Sequence, residues 1–217
     1  MIKLGSTEIA NLPGIDKVYL GSDLIWDSTP PGPRLPVGYT EVEYIENTST
    51  AYLDTGVTPN CTVTLTAQGD SSISSNSILV ATKTSAGHWF GAQYSTGKWG
   101  NGSAQLTQSW LNKTAFVVTI NDNSIEFAVS GGTATTTNAA ASITTSVWLF
   151  AGSPTGGNSY PFKGIVYGDV IIEKSGSKVK HYVPCTNSSN VAGWYDLVGE
   201  TFYSSSNATA FVAGPTV

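Results

Sequence analysis

Residues 114–129 read Thr-Ala-Phe-Val-Val-Thr-Ile, then Asn-Asp-Asn, then Ser-Ile-Glu-Phe-Ala-Val, so apolar side chains alternate on both sides of a short polar turn. Successive side chains of a strand point to opposite faces, and Asn and Asp suit tight reversals, so this stretch is expected to form a β-hairpin with one face buried. Similar short runs, separated by turn residues, place strands near 40–46, 50–57, 61–68, 77–83, 87–95, 114–120, 124–130, 146–152, 161–174, 178–184 and 209–213. Gly168-Asp169 falls in the middle of one run, between Tyr167 and Val170, and predicts a bend or bulge there. Helical spacing appears only at Leu106, Trp110 and Leu111, within a candidate turn over 104–113. Many short strands with almost no helix fold as two antiparallel sheets packed face to face, a β-sandwich.

Composition agrees with a packed β domain. Only 12% of the 217 residues are charged and 40% are hydrophobic, enough to build a real core. The formal charge of −5 includes no basic stripe, which argues against nucleic acid and against an anionic membrane surface as partners. With no apolar stretch of signal-peptide or membrane-spanning length, the chain is expected to be made as a soluble protein. Cys61 and Cys185 are the only cysteines, which leaves two buried free thiols or one disulfide as the alternatives. Six Asn-x-Ser/Thr matches, at Asn47, Asn60, Asn101, Asn112, Asn187 and Asn207, are discounted as products of a Ser/Thr/Asn-rich sequence.

The N-terminus is organised differently. Leu4-Gly5-Ser6-Thr7-Glu8-Ile9 is echoed by Leu20-Gly21-Ser22-Asp23-Leu24-Ile25, and each copy reads as strand, turn, strand. A two-stranded ribbon is marginal alone in water, so residues 1–26 are expected to pack on another copy, another protein or the main domain. Leu4, Ile9, Val18, Leu20, Ile25 and Trp26 are the candidate attachment or oligomerisation residues. Residues 27–36, DSTPPGPRLP, form a stiff proline-rich linker, and residues 37–217 form the main domain.

Chemistry is sparse. There is no Gly-x-Ser-x-Gly elbow, phosphate-binding loop with lysine, or His-Glu-x-x-His, so no catalytic residues are assigned and the chain is expected not to be an enzyme. Glu41 and Glu43 lie two apart on one expected strand, as a glycosidase pair would, but an exposed outer face accounts for them more simply. His181 reads as a strand residue with a satisfied ring. Asn121-Asp122-Asn123 is oxygen-rich, yet one carboxylate is too few for calcium and the turn needs these residue types anyway, so neither metal nor cofactor is assigned. The middle of the chain is rich in rings flanked by glycine and polar residues. A sugar ring stacks on an aromatic face while amides bond its hydroxyls, which makes His88, Trp89, Gln93, Trp99 and Asn101 the candidate carbohydrate-binding residues. Phe90 and Trp148 read as core, whereas Trp99 sits in a loop-like run between Lys98 and Gly100.

Two stretches carry a family resemblance. Leu35-Pro36-Val37-Gly38-Tyr39-Thr40-Glu41-Val42-Glu43-Tyr44-Ile45-Glu46 with Ala51-Tyr52-Leu53-Asp54-Thr55-Gly56-Val57 resembles the opening of concanavalin-like (laminin-G-like) jelly-roll domains of bacteriophage and prophage virion proteins. His181-Tyr182-Val183-Pro184-Cys185, Gly193-Trp194-Tyr195-Asp196-Leu197-Val198, Phe202-Tyr203 and Phe211-Val212-Ala213-Gly214-Pro215 follow that family's ending. The N-terminal LGS repeat resembles short modules at the heads of phage tail and fibre proteins. Residues 60–160 carry no matching motif. The resemblance implies an all-β, antiparallel two-sheet jelly-roll β-sandwich preceded by a small β-hairpin module. It also implies a virion location after synthesis in the host cytoplasm, other virion proteins as partners, homotrimeric assembly, and a head that binds host-surface or mucosal glycans. The alternatives are a lectin as the main role or a polysaccharide depolymerase. Within the ending, Trp194, Phe202 and Phe211 are expected to close the sandwich, Asp196 to bond a turn backbone and Gly199 to permit the reversal.

Overall fold

The computed structural model describes residues 3–4, 7–8, 17–20, 23–27, 34–70, 77–85, 88–95, 98–101, 104–107, 114–129, 132–137, 144–151 and 160–217. The chain divides into two compact units, Met1–Pro36 and Val37–Val217.

The first unit contains two antiparallel ribbons. β1 (Lys3–Leu4) pairs with β2 (Thr7–Glu8), and β3 (Lys17–Leu20) pairs with β4 (Asp23–Asp27), so each copy of the repeat contributes to one pair of antiparallel strands. Leu4 lies opposite Thr7, Val18 opposite Trp26 and Leu20 opposite Asp23, while Ile25 falls where the register shifts. Ile9 lies outside the described residues.

The second unit is an antiparallel two-sheet β-sandwich. In chain order its strands are β5 (Tyr39–Glu41), β6 (Tyr44–Asn47), β7 (Leu53–Asp54), β8 (Thr62–Gly69), β9 (Ser77–Ser85), β10 (His88–Ser95) and β11 (Lys98–Asn101). Then follow β12 (Ala104–Thr107), β13 (Phe116–Ile120), β14 (Ser124–Val129), β15 (Gly132–Thr137), β16 (Trp148–Leu149) and β17 (Gly164–Lys174). The last are β18 (Ser177–Asn187), β19 (Ala192–Asp196), β20 (Thr201–Tyr203) and β21 (Val212–Ala213). The smaller sheet runs β12-β11-β10-β9-β16-β7, and the larger runs β15-β14-β13-β8-β17-β18-β19-β20 with β5, β6 and β21 joined to it.

The hairpin expected at 114–129 forms as β13 and β14, with Ile120 opposite Ile125. Its alternation matches its burial, since Phe116, Val118, Ile120, Ile125 and Phe127 all reach the core. In β8, buried Val63, Leu65 and Ala67 alternate with half-buried threonines. These side chains meet Leu79, Val80, Phe90 and Ala92 of the opposite sheet in one core, and each large apolar side chain so buried contributes about 1.5–3 kcal/mol. Phe90 and Trp148 are both buried, as expected, and Trp148 stacks on Tyr52 with ring centroids 4.2 Å apart.

The expected bend in β17 is present. Gly168 has φ +56, and the ladder with β8 shifts between Tyr167 and Ile171. At that point β17 exchanges one neighbour for another, pairing with β6 over residues 164–167 and with β18 over 170–174. Two expectations are corrected. Residues 104–107 are strand, held in a ladder with β11, where helical spacing had suggested a turn; residues 108–113 lie outside the described residues. The thiols of Cys61 and Cys185 are free and buried, which removes the disulfide alternative.

Candidate functional site

At one end of the larger sheet, the start of β8, the β13–β14 turn and the β17–β18 turn surround a polar recess of about 400 Å³. Each wall is fixed by local chemistry. Asn121 Oδ1 accepts from the backbone N–H groups of Asn123 and Ser124, both at 2.9 Å, and the Asn121 N–H donates to the Ser124 carbonyl at 2.9 Å. These bonds tie the turn to itself. Asp122 Oδ1 accepts from the Asn60 N–H at 2.9 Å, which draws the entry to β8 against that turn. In the β17–β18 hairpin, Ser175 and Gly176 both have positive φ, +51 and +77, the geometry whose twist matches paired strands.

The recess presents Asn60, Thr62, Asp122, Asn123, Glu173 and Ser175. Two carboxylates, two amides and two hydroxyls can accept from and donate to a hydroxyl-rich ligand. Cys61 also lines it, but burial, with the Asp122 charge adding and Lys174 opposing, pushes its thiol up to about 11, so it is a protonated wall rather than a nucleophile. Among the described residues no group of three or more His, Cys, Asp or Glu side chains is placed to hold a metal ion. The arrangement is one for hydrogen-bonded binding.

The sequence-derived sugar residues lie elsewhere. His88, Trp89 and Gln93 belong to β10, and Trp99 and Asn101 to β11 of the smaller sheet. Antiparallel pairing sets Gln93 opposite Gly100 and Trp99 opposite Tyr94, with Asn101 opposite Ala104 on β12. All five therefore lie on two adjacent strands, and Trp99 is a strand residue rather than a loop residue. The side chains of these five residues lie outside the described part of the structure, as does Trp110 altogether.

The Glu41/Glu43 pair does not share a strand. Glu41 is half-buried in β5 opposite Cys185, while Glu43 is exposed between β5 and β6, where its N–H donates to the Pro215 carbonyl and its carbonyl accepts from Gly168. That interruption breaks the alternation their spacing had suggested. His181 is satisfied as expected, with Nε2 2.7 Å from Asp169 Oδ2.

At the chain's end, Trp194 and Phe211 are buried and Phe202 is half-buried. Asp196 does bond the turn, but Gly199 acts differently from expectation. The positive φ is carried by Glu200, at +50, whereas a Cβ on Gly199 would stand 2.6 Å from Asp196 Oδ2. The glycine makes room for the carboxylate.

Sequence reasoning missed the recess because its members come from three distant segments. The one available signal was the oxygen-rich Asn121-Asp122-Asn123 run, fully explained by its own turn.

Among solved structures, the chain is similar to the mouse laminin alpha1 chain, domains LG4-5, at 12% identity and a TM-score of 0.39, over 82% of this chain and 46% of that one. It thus spans about half the length of that chain. No family model matches the sequence, and no curated protein matches it.

Proposed function

We propose that this chain is a surface appendage protein of a phage particle, in which the N-terminal unit attaches to other virion proteins or to sister chains and the sandwich is a displayed head that takes up a host-surface or mucosal glycan. The observation that carries this reading is the division into Met1–Pro36 and Val37–Val217. Two-stranded ribbons too small to build a core precede a domain with a core of its own, which is the arrangement of a tether and a load. The resemblance of residues 35–57 and 181–215 to phage jelly-roll domains supports the virion setting, and that setting suggests homotrimeric assembly.

A second reading makes glycan binding the main role. It is favoured by the recess, whose amide, hydroxyl and carboxylate groups suit a polyol. No catalytic step belongs to either reading.

A glycan array probed with the full chain tests the ligand. Hits are expected, and two double variants locate them. If Trp89→Ala with Trp99→Ala removes binding while the unfolding midpoint of the sandwich is kept, the ladder of β10 and β11 carries the ligand. If Asp122→Ala with Glu173→Ala removes it, the recess does. An array without hits removes the ligand from the proposal and leaves a structural appendage.

A further inference from the structure

We propose that the outward face of β6, β17 and β8 is where the head takes its ligand, and that the ligand is a glycan without acidic groups; this rests on the reading of the sandwich as a glycan-binding head. The strand registers lay the face out. Ile45, Leu65, Ala67 and Val166 are buried in the core, so their neighbours Tyr44, Glu46, Thr66, Gln68, Ile165 and Tyr167 point away from it. Pairing sets Tyr167 between Tyr44 and Thr66, and Ile165 between Glu46 and Gln68. All six side chains are half-buried, so each keeps some surface open to solvent. Three neighbouring strands span about 10 Å and two residues along a strand about 7 Å, which is room for a sugar ring.

The two aromatic rings are held in place. Tyr44 and Tyr167 meet edge to face with centroids 5.4 Å apart. A Cβ on Gly214 would stand 2.7 Å from the Tyr44 ring, so the glycine leaves the space that this ring fills. Tyr167 Oη donates to Gln68 Oε1 at 3.1 Å, which fixes the amide and leaves its two N–H donors for a ligand. Among the described residues, neither those donors nor the Glu46 carboxylate nor the hydroxyls of Tyr44 and Thr66 have a hydrogen-bond partner.

Accessible rings beside unpartnered amide, carboxylate and hydroxyl groups match a polyol, whose ring face needs apolar contact and whose hydroxyls need partners. The recess at the end of the sheet has the polar groups but no aromatic ring. Burial, then the neighbouring Tyr44, Glu43 and Glu46, push the Tyr167 hydroxyl above its ordinary value, so both carboxylates act on this spot. Their charge selects the ligand class. Acidic sugars and phosphate backbones are repelled, and a second copy would set the same carboxylates against each other. Lys163 does not offset them, since it stands four residues from Tyr167, about 13 Å along the strand. His181, beyond the bend on β18, is engaged by Asp169 at 2.7 Å.

The full chain on an array of neutral, amino and acidic glycans tests this, with calorimetric titration of the best hit. Hits are expected among the neutral and amino glycans. Tyr167→Ala should weaken binding at least about tenfold and Gln68→Ala about fivefold, with the urea midpoint of the sandwich kept. Tyr167→Phe, which retains the ring, should keep most of the affinity, and Glu46→Gln should admit acidic glycans. Binding should survive both Trp89→Ala with Trp99→Ala and Asp122→Ala with Glu173→Ala. If Tyr167→Ala lowers the midpoint, Gln68→Ala and Glu46→Gln decide. The proposal is overturned, with the glycan reading intact, if hits survive Tyr167→Ala and Gln68→Ala unchanged, if only one of the two double variants removes them, or if acidic glycans bind best. An array without hits overturns the proposal and the glycan reading together, as does a face that retains a basic peptide and no glycan.

Discussion

Trp194→Ala is expected to lower the unfolding free energy of the sandwich by about 4 kcal/mol. Trp194 is fully buried at the centre of β19, with its ring centroid 5.8 Å from that of Phe150 and 5.1 Å from that of Phe211. Phe150 also meets Phe162 at 6.1 Å and Phe211 at 5.5 Å, so the truncation removes the largest ring of a four-ring cluster centred on Phe150. Phe150 comes from the segment just after β16 of the smaller sheet and Trp194 from the larger, and the cavity would therefore open between the layers. Among the described residues the indole Nε1 of Trp194 has no hydrogen-bond partner, so its contribution is packing rather than polar bonding. Trp194→Phe should accordingly retain much of the stability. Urea unfolding followed by far-UV circular dichroism measures both. Equal losses in the two variants would contradict the packing account.

Asp196→Ala is expected to cost about 3 kcal/mol by a different route. The Asp196 carboxylate is inaccessible to solvent, with Oδ2 2.8 Å from Lys180 Nζ and Oδ1 accepting the backbone N–H groups of His181 at 3.0 Å and Val198 at 3.1 Å. Lys180 also donates to Tyr203 Oη at 2.9 Å and lies over the Tyr203 ring. One carboxylate thus joins β18, the turn after β19 and, through Lys180, β20. Removing it strands two amide donors and a partly buried ammonium, though Lys180 keeps Tyr203 and some access to water, which holds the loss to the low end for a broken buried pair.

The same group sets an acid limb. Burial alone would raise the Asp196 pKa, but the hydrogen bonds from Lys180, His181 and Val198, with the Lys180 charge, outweigh it and hold the carboxyl below the ordinary aspartate range. A folded-state value below the unfolded one gives stability that is present above about pH 4 and is lost as pH falls through the depressed value. Asp196→Asn should flatten that limb. A variant whose stability falls with acid as steeply as the unaltered chain would contradict the assignment.

Legibility in the sequence followed exposure of one strand face. β8, β13 and β14 each bury one face, so their alternation shows directly in the residues. β19 has all five residues buried and therefore carries no alternation, and it was missed although its rings drew attention. β15 was missed for the opposite reason, since none of its six residues is fully buried and Gly-Thr-Ala-Thr-Thr-Thr has no apolar stripe to read. The residues of β11 and β12 by themselves suggest a loop and a helical turn, because Lys98, Gly100 and Asn101 resemble turn residues and Leu106 falls at a helical spacing from Trp110. Pairing between neighbouring strands overrode both local signals.

The closing segment was read by its chemistry more fully than by its geometry. Its rings were expected to close the sandwich, and Trp194 and Phe211 do so. The part of Gly199 was not legible, because it depends on where the Asp196 carboxylate lies in space. The recess was hidden similarly. Asn60, Asp122 and Glu173 are each ordinary neighbours of turns, and only the sheet order β13-β8-β17 brings them to one opening.

The central claim is that the chain is a tethered display head. Its most direct test is particle incorporation of a chain lacking residues 1–36, measured beside incorporation of the full chain. The account expects the truncated chain to keep a cooperative unfolding transition and native far-UV circular dichroism, because the core lies within Val37–Val217. It also expects that chain to be lost from purified particles. A truncated chain that folds and is still incorporated at the level of the full chain would contradict the claim.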